Sequence, residues 1–102
     1  SSDLTDHLSQ HPDTRHVCLF AQPINRIDAT GVETFGQLQR QLASRGVALH
    51  ISGIKLPIEK ALQRAGELPD SPQLKLYRTD AEALQSLRQL APLPDDIGAA
   101  SI

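Results

Sequence analysis

The chain has 102 residues, of which 39% are hydrophobic and 22% are charged, a composition typical of one globular domain with a single core. A formal net charge of −2, scattered basic residues and only three aromatic residues argue against nucleic acid as a partner. The single cysteine excludes a disulfide scaffold, and no apolar run reaches the roughly 20 residues of a membrane-spanning helix.

The first elements predicted along the chain are a short helix and a buried strand. Leu4 and Leu8 recur at helical spacing ahead of Pro12, which predicts a helix near the N-terminus. The apolar run over 16–21 has the length and pattern of a strand that is buried on both faces. Cys18 lies inside this run, so we interpret it as a buried core thiol.

A long amphipathic helix and a second strand follow. The helix is predicted over about 29–45, and Gly46 can end it. Its apolar residues are spaced three, three and four apart: Val32, Phe35, Leu38 and Leu42. The run over 47–52 is the second predicted strand, and Gly53 opens a turn towards a further helix with Pro57 in its first turn.

The last elements are a third strand over 74–77 and a helix that begins at a capping box formed by Thr79 and Glu82. Two prolines follow this helix, so we predict one domain over residues 1–92 and a flexible C-terminal tail over residues 93–102. Helices that alternate with strands predict an α/β fold with a mainly parallel sheet. Three strands leave exposed edges, so we expect one or two further strands before Ser1 in the intact protein.

Histidine and cysteine do not assemble into a recognisable catalytic or metal-binding motif. His7 and His11 are four residues apart, but no cysteine or acidic motif completes a set of four ligands. His50 lies in an apolar strand, where we interpret it as an interior or half-buried residue with satisfied ring nitrogens. No Ser-His-Asp triad and no phosphate-cradling glycine loop is recognisable. We therefore expect no catalytic residue, metal or cofactor.

The loop that leads from the first strand into the long helix is the most informative segment for function. Asp28 can cap this helix, and Thr30 with Glu33 matches a second capping pattern. The free amides of a helix N-terminus also suit a bound anion, or a phosphate on Thr30, which is the only hydroxyl between Asp28 and Gly31. Structural capping, phosphorylation and anion binding therefore all fit these residue types.

The order and spacing of these segments resemble those of the STAS domain, over about Leu4 to Leu90. The resemblance rests on four segments in sequence: Asn25-Arg-Ile-Asp28-Ala-Thr30-Gly31, Gly53-Ile-Lys-Leu-Pro57, Arg64-Ala-Gly66 and Thr79-Asp-Ala-Glu-Ala-Leu84. It implies a STAS-like sheet in which the N-terminal strand or strands of the family are absent.

STAS domains occur in two main settings. One is the anti-sigma-factor antagonist, whose loop is phosphorylated by a partner kinase, and the other is the cytoplasmic C-terminal domain of SulP (sulfate permease) transporters. Ala29 stands where the antagonist loop has serine, and the segments Arg26 to Gly31 and Lys55 to Pro57 are more similar to the transporter version. The resemblance implies a regulatory, non-enzymatic domain of a sulfate or related anion transporter in the inner (plasma) membrane. The alternative is an antagonist-like protein switched by phosphorylation at Thr30.

The resemblance also implies contact residues and partners. Asp28, Thr30 and Gly31 form the expected interaction loop or phospho-acceptor site, and Lys55 is the candidate anion or nucleotide contact. Both segments follow strands at their carboxyl ends, where open α/β sheets place ligands. The expected partners are the transmembrane part of the same transporter and a cytosolic protein or nucleotide. An isolated domain is expected to self-associate through its open sheet edge.

Overall fold

The structure is a computed structural model that describes residues 8–90 completely and residues 97–101 by their backbone. Strands and helices alternate along the chain: β1 (His16–Phe20), α1 (Ala29–Ser44), β2 (Ala48–Ser52), α2 (Leu56–Arg64), β3 (Leu74–Tyr77), α3 (Asp80–Arg88) and β4 (Ile97–Ser101). Residues 8–10 are also helical, within the predicted first helix. Leu4, His7, Pro92 and Pro94 lie outside the described residues.

The strands form one parallel sheet in the order β3-β2-β1-β4. In the centre of the sheet, Leu19 of β1 lies opposite Ile51 of β2, and Ile51 lies opposite Leu76 of β3. Because the strands run in the same direction, their carboxyl ends meet at one edge of the sheet. The predicted α/β fold with a parallel sheet is therefore confirmed.

Local signals in the sequence set the helix starts. Asp28 caps α1, and Pro57 lies in the first turn of α2. At α3 the Thr79 hydroxyl accepts a hydrogen bond from the Glu82 amide at 3.1 Å, as the predicted capping box requires. The Glu82 carboxylate accepts from the amide of Arg78, one residue before the position that the standard box uses.

Hydrophobic side chains pack on both faces of the sheet. The larger core joins alternate residues of β1 and β2 to α1 and α2: Val17, Leu19, Leu49, Ile51, Phe35, Leu42, Ile58 and Leu62 are among its buried members. Of the apolar residues predicted along the long helix, Phe35 and Leu42 are buried, whereas Val32 and Leu38 are only partly buried. On the opposite face, a smaller core of Cys18, Ala83 and Leu87 lies under α3.

Residues 97–101 do not fit the expected tail over 93–102, because they form β4 and pair with β1. The pairing extends from His16 opposite Ile97 to Phe20 opposite Ser101, so the residues that the structure describes form four strands and not the predicted three. Without β4, the side of the buried strand β1 that faces away from β2 would have backbone N–H and C=O groups without hydrogen-bond partners. β4 supplies these partners. The sequence Ile-Gly-Ala-Ala-Ser lacks the β-branched alternation that usually signals a strand, so its role was not predicted.

Candidate functional site

The loops that follow the parallel strands meet at the carboxyl edge of the sheet. The backbone ladder continues beyond the strands there, because the Ala21 amide donates to the Ser52 carbonyl and the Gly53 amide to the Tyr77 carbonyl. An open depression at the same edge is lined by Phe20, Gln22, Pro23, Asp80 and Leu84. This edge is where parallel α/β sheets usually bind their ligands.

Asp28 is the residue that caps α1. Its backbone is extended, and its Oδ1 atom accepts a hydrogen bond from the Gly31 amide at 2.8 Å. Thr30 therefore lies within the first helical turn, where it is exposed. The structure brings Asp28, Thr30 and Gly31 together at one helix terminus, and of the two competing caps it uses Asp28.

Replacing Asp28 with alanine is expected to lower the free energy of unfolding by about 1 kcal/mol, because the Gly31 amide would lose its acceptor. Asp28→Asn is expected to retain most of the stability, since asparagine is an equally good cap. Thr30→Ala is the matched control and should change stability by less than about 0.5 kcal/mol. Urea unfolding measures all three variants. A larger loss for Thr30→Ala than for Asp28→Ala would show that Thr30 provides the essential cap.

Lys55 joins the turn after β2 to the loop after β1. Its ammonium group donates to the carbonyl oxygens of Gln22 and Ile24 and to Oδ1 of Asn25, at 2.5, 3.0 and 2.8 Å respectively. An ammonium group has three N–H donors, so these contacts use all of them. Lys55 thus positions the loop that leads to Asp28, and an anion at Lys55 would have to replace one of its present acceptors.

A second connection at this edge joins β2 to α3. The buried Ser52 hydroxyl donates to Oδ1 of Asp80 at 2.5 Å. Burial and, to a lesser extent, the negative charge of Asp80 raise the pKa of the Cys18 thiol to about 11. Cys18 is 1% exposed and stays protonated at neutral pH, which confirms its interpretation as a core thiol. Sequence reasoning missed the role of Asp80, since only its place inside the capping box was visible.

His50 is an interior residue, as the sequence predicts. It is 1% exposed, and both of its ring nitrogens lie within hydrogen-bonding distance of a side chain. Across the described part of the chain, no three residues among histidine, cysteine, aspartate and glutamate group closely enough to hold a metal ion. None of the described helices is long and apolar enough to cross a bilayer.

Comparison with known proteins gives one match. The family model of the STAS domain matches residues 1–83, which include β1, β2, β3 and both loops of the candidate site. Neither the curated proteins nor the solved structures contain a match to this chain.

Proposed function

Because the chain belongs to the STAS domain family, we propose that it is a regulatory module that acts by protein contacts through the α1 loop, which we define as residues 22–31 and which includes the first turn of α1. The observation that carries this proposal is the position of Thr30, which is exposed in the first turn of α1 on a loop that Lys55 holds in place. A side chain that is accessible on a fixed loop can present the same surface to a partner each time they meet.

The neighbouring turn extends this surface. Leu56 is 58% exposed and Pro57 is also exposed, directly after the lysine that contacts the α1 loop. The buried centre of a protein interface is more apolar than its rim, so Leu56 and Pro57 suit such a centre. We define the interaction surface as Asp28, Thr30, Gly31, Leu56 and Pro57.

We further propose that the partner is the transmembrane part of a SulP-type transporter of sulfate or a related anion, with this domain on the cytoplasmic side of the inner (plasma) membrane. The support is the similarity of the segments Arg26 to Gly31 and Lys55 to Pro57 to the transporter version of the domain. A cytosolic protein or nucleotide is a second class of partner for the same surface. This mechanism requires no catalytic group, and Cys18 and His50, which could act as nucleophile and base, are both buried.

An antagonist-like protein switched at Thr30 is the second candidate function. The exposure of Thr30 favours it, because a kinase needs an accessible hydroxyl and a helix N-terminus stabilises an added phosphate. The coding sequence upstream of Ser1 distinguishes the two candidates. Ten or more apolar segments of about 20 residues would support the transporter, whereas a start within about 25 residues of Ser1 would support the antagonist.

Self-association through an open sheet edge would use β4 more readily than β3. Both are edge strands of the sheet, but β4 has the uncharged sequence Ile-Gly-Ala-Ala-Ser, whereas β3 has only four residues, with Lys75 in it and Pro72 shortly before it. Short edge strands with lysine and proline are features that discourage pairing with another chain.

The variant Thr30→Glu tests the proposed surface in the full-length protein. A carboxylate in the first helical turn should leave stability unchanged or raise it by about 0.3–1 kcal/mol, whereas partner binding or transport should fall. Thr34→Glu is the matched control, because Thr34 is also exposed on α1 and lies one turn further along. Thermal melts and transport assays are compared for both variants. If Thr30→Glu sharply lowers the melting temperature and transport falls only in proportion to protein abundance, the loop is architectural.

A further inference from the structure

An apolar depression opens beside the α1 loop at the carboxyl edge of the sheet. Its walls come from the end of β1, from the loop that follows and from α3: Phe20, Gln22, Pro23, Asp80 and Leu84. Phe20 is half-buried and packs on the small core under α3, whereas Leu84 is 41% exposed. Three of the five lining residues are therefore apolar, and Asp80 is the single charged one.

The Asp80 carboxylate is fixed in orientation by a buried partner. The side chain of Ser52 has no exposed surface, and its hydroxyl donates to Oδ1 of Asp80 at 2.5 Å. Within residues 8–90, no group donates a hydrogen bond to Oδ2 of Asp80. This second oxygen is thus left for a donor that a ligand would bring.

The charge of Asp80 has no partner in the described part of the chain. Arg40 on α1 forms an ion pair with Glu67 at 2.8 Å, whereas no lysine or arginine within residues 8–90 lies within ion-pair distance of Asp80. An unpaired carboxylate repels anions, so the depression does not suit a phosphate or sulfate group. It suits a cationic group that is carried on an apolar stem, because the remaining walls are mostly apolar.

An arginine side chain combines the features that these walls would recognise. Its guanidinium group is planar, so it can lie against an aromatic ring such as that of Phe20 and donate to Oδ2 of Asp80. Its methylene stem is apolar and would pack on Leu84 and Pro23. A lysine ammonium group lacks the planar face and is more strongly hydrated, so it would make less use of the ring.

The open shape of the depression indicates that such an arginine belongs to a protein. Pockets for free small molecules enclose about 70–90% of the ligand surface, whereas an open depression covers a side chain from one side only. A protein gains further contacts beside the depression, and Gln22 and Pro23 connect it directly to the α1 loop. We propose that the depression receives an arginine side chain of the partner that binds the interaction surface. This inference rests on the proposed function and names the chemistry of the partner.

Two capped tripeptides test the arginine site in the 102-residue chain. Acetyl-Gly-Arg-Gly-amide is compared with the same peptide carrying citrulline, which has nearly the shape of arginine but no charge. In NMR titrations, the arginine peptide should shift the amide signals of Gln22, Asp80 and Leu84 and bind roughly two- to fivefold more tightly, as expected for an exposed ion pair. Equal affinities for the two peptides, or no shift at these amides, would overturn the proposal.

Asp80→Asn removes the charge and keeps the contact with Ser52. The asparagine oxygen can still accept from the Ser52 hydroxyl, so the variant should fold and bind the arginine peptide no more tightly than the citrulline peptide. Glu82→Gln is the matched control, because it removes the same charge two residues further along α3, outside the depression. Equal weakening by both variants would contradict the proposal, since attraction to the overall negative charge would explain it.

Leu84→Ala gives an independent test should Asp80→Asn fail to fold. Leu84 is 41% exposed, so its truncation should leave the fold intact while it removes the wall that would hold the arginine stem. The arginine peptide should therefore bind more weakly to this variant. An unchanged affinity would contradict the proposed seat of the side chain.

Partner binding or transport by the full-length protein separates this proposal from the proposed function. If both hold, Thr30→Glu and Asp80→Asn each reduce it, whereas Glu82→Gln does not. A loss with Thr30→Glu alone would overturn the arginine site and leave the interaction surface in place. A loss with Asp80→Asn alone would support the arginine site and contradict the role of Thr30.

Discussion

Replacing Ile51 with alanine is expected to lower the free energy of unfolding by about 2–5 kcal/mol. Ile51 is fully buried in β2, between Leu19 and Leu76 on the neighbouring strands. Alanine would remove most of the buried side chain and leave a cavity that the close-packed sheet can fill only partly. Ile51→Val, which removes a single methylene group, should cost about 0.5–1.5 kcal/mol.

Leu56→Ala is the matched control for this prediction. Leu56 is 58% exposed, so its truncation should change stability by no more than about 0.5 kcal/mol. Urea unfolding of the three variants at neutral pH gives the comparison. A loss for Leu56→Ala as large as that for Ile51→Ala would mean that the first turn of α2 packs against the core and is not free to contact a partner.

Replacing Gly53 with alanine is expected to cost about 2–3 kcal/mol. One contribution is the backbone, since Gly53 has a φ of +71° and the left-handed region costs other residues roughly 1–2 kcal/mol. The other contribution is crowding, because a Cβ atom at Gly53 would lie 3.0 Å from Gln22 Cβ and 3.4 Å from the Gln22 backbone nitrogen. Overpacking of this kind typically adds about 1 kcal/mol or more.

Gly46→Ala separates the two contributions. Gly46 has nearly the same φ, +70°, but a Cβ atom there would meet nothing within 4 Å. Its substitution should therefore cost only the backbone term of about 1–2 kcal/mol. The difference between the two variants in urea unfolding measures the close approach of the Gly53 turn to Gln22. Equal losses would show that Gln22 moves aside at no cost.

The close approach of Gly53 to Gln22 links the turn after β2 to the loop after β1. The loop after β1 is held against the turn after β2 by the packing of Gly53 on Gln22 and by the three hydrogen bonds of Lys55. We therefore expect a substitution in either segment to displace the other. Under the proposed function, substitutions at Lys55 would act on the interaction surface by moving the loop.

Much of the fold could be predicted from residue patterns. The bounds of β1, β2, β3 and α1 and the starts of α2 and α3 agree with the predictions to within about one residue, because the period of the apolar residues and the capping residues depend on local backbone geometry. The capping interaction of Thr79 was visible for the same reason, since its donor is only three residues away. The sequence also indicated the loop that begins α1, but it allowed both Asp28 and Thr30 as the cap. The backbone conformation at Asp28 decided between them.

Other features were determined only by the tertiary structure. Lys55 binds backbone carbonyl groups about 30 residues away, and every residue has a carbonyl group, so no sequence signal marks these partners. The contacts of His50 come from β1 and β3, and only the sheet order brings those strands to either side of it. β4 has weak strand propensity, and its pairing follows from the need of β1 for a second hydrogen-bonded neighbour. The sequence by itself thus determined the local elements and the position of the α1 loop. Contacts between residues that are far apart in the sequence decided how Lys55 holds that loop and which strands supply the contacts of His50.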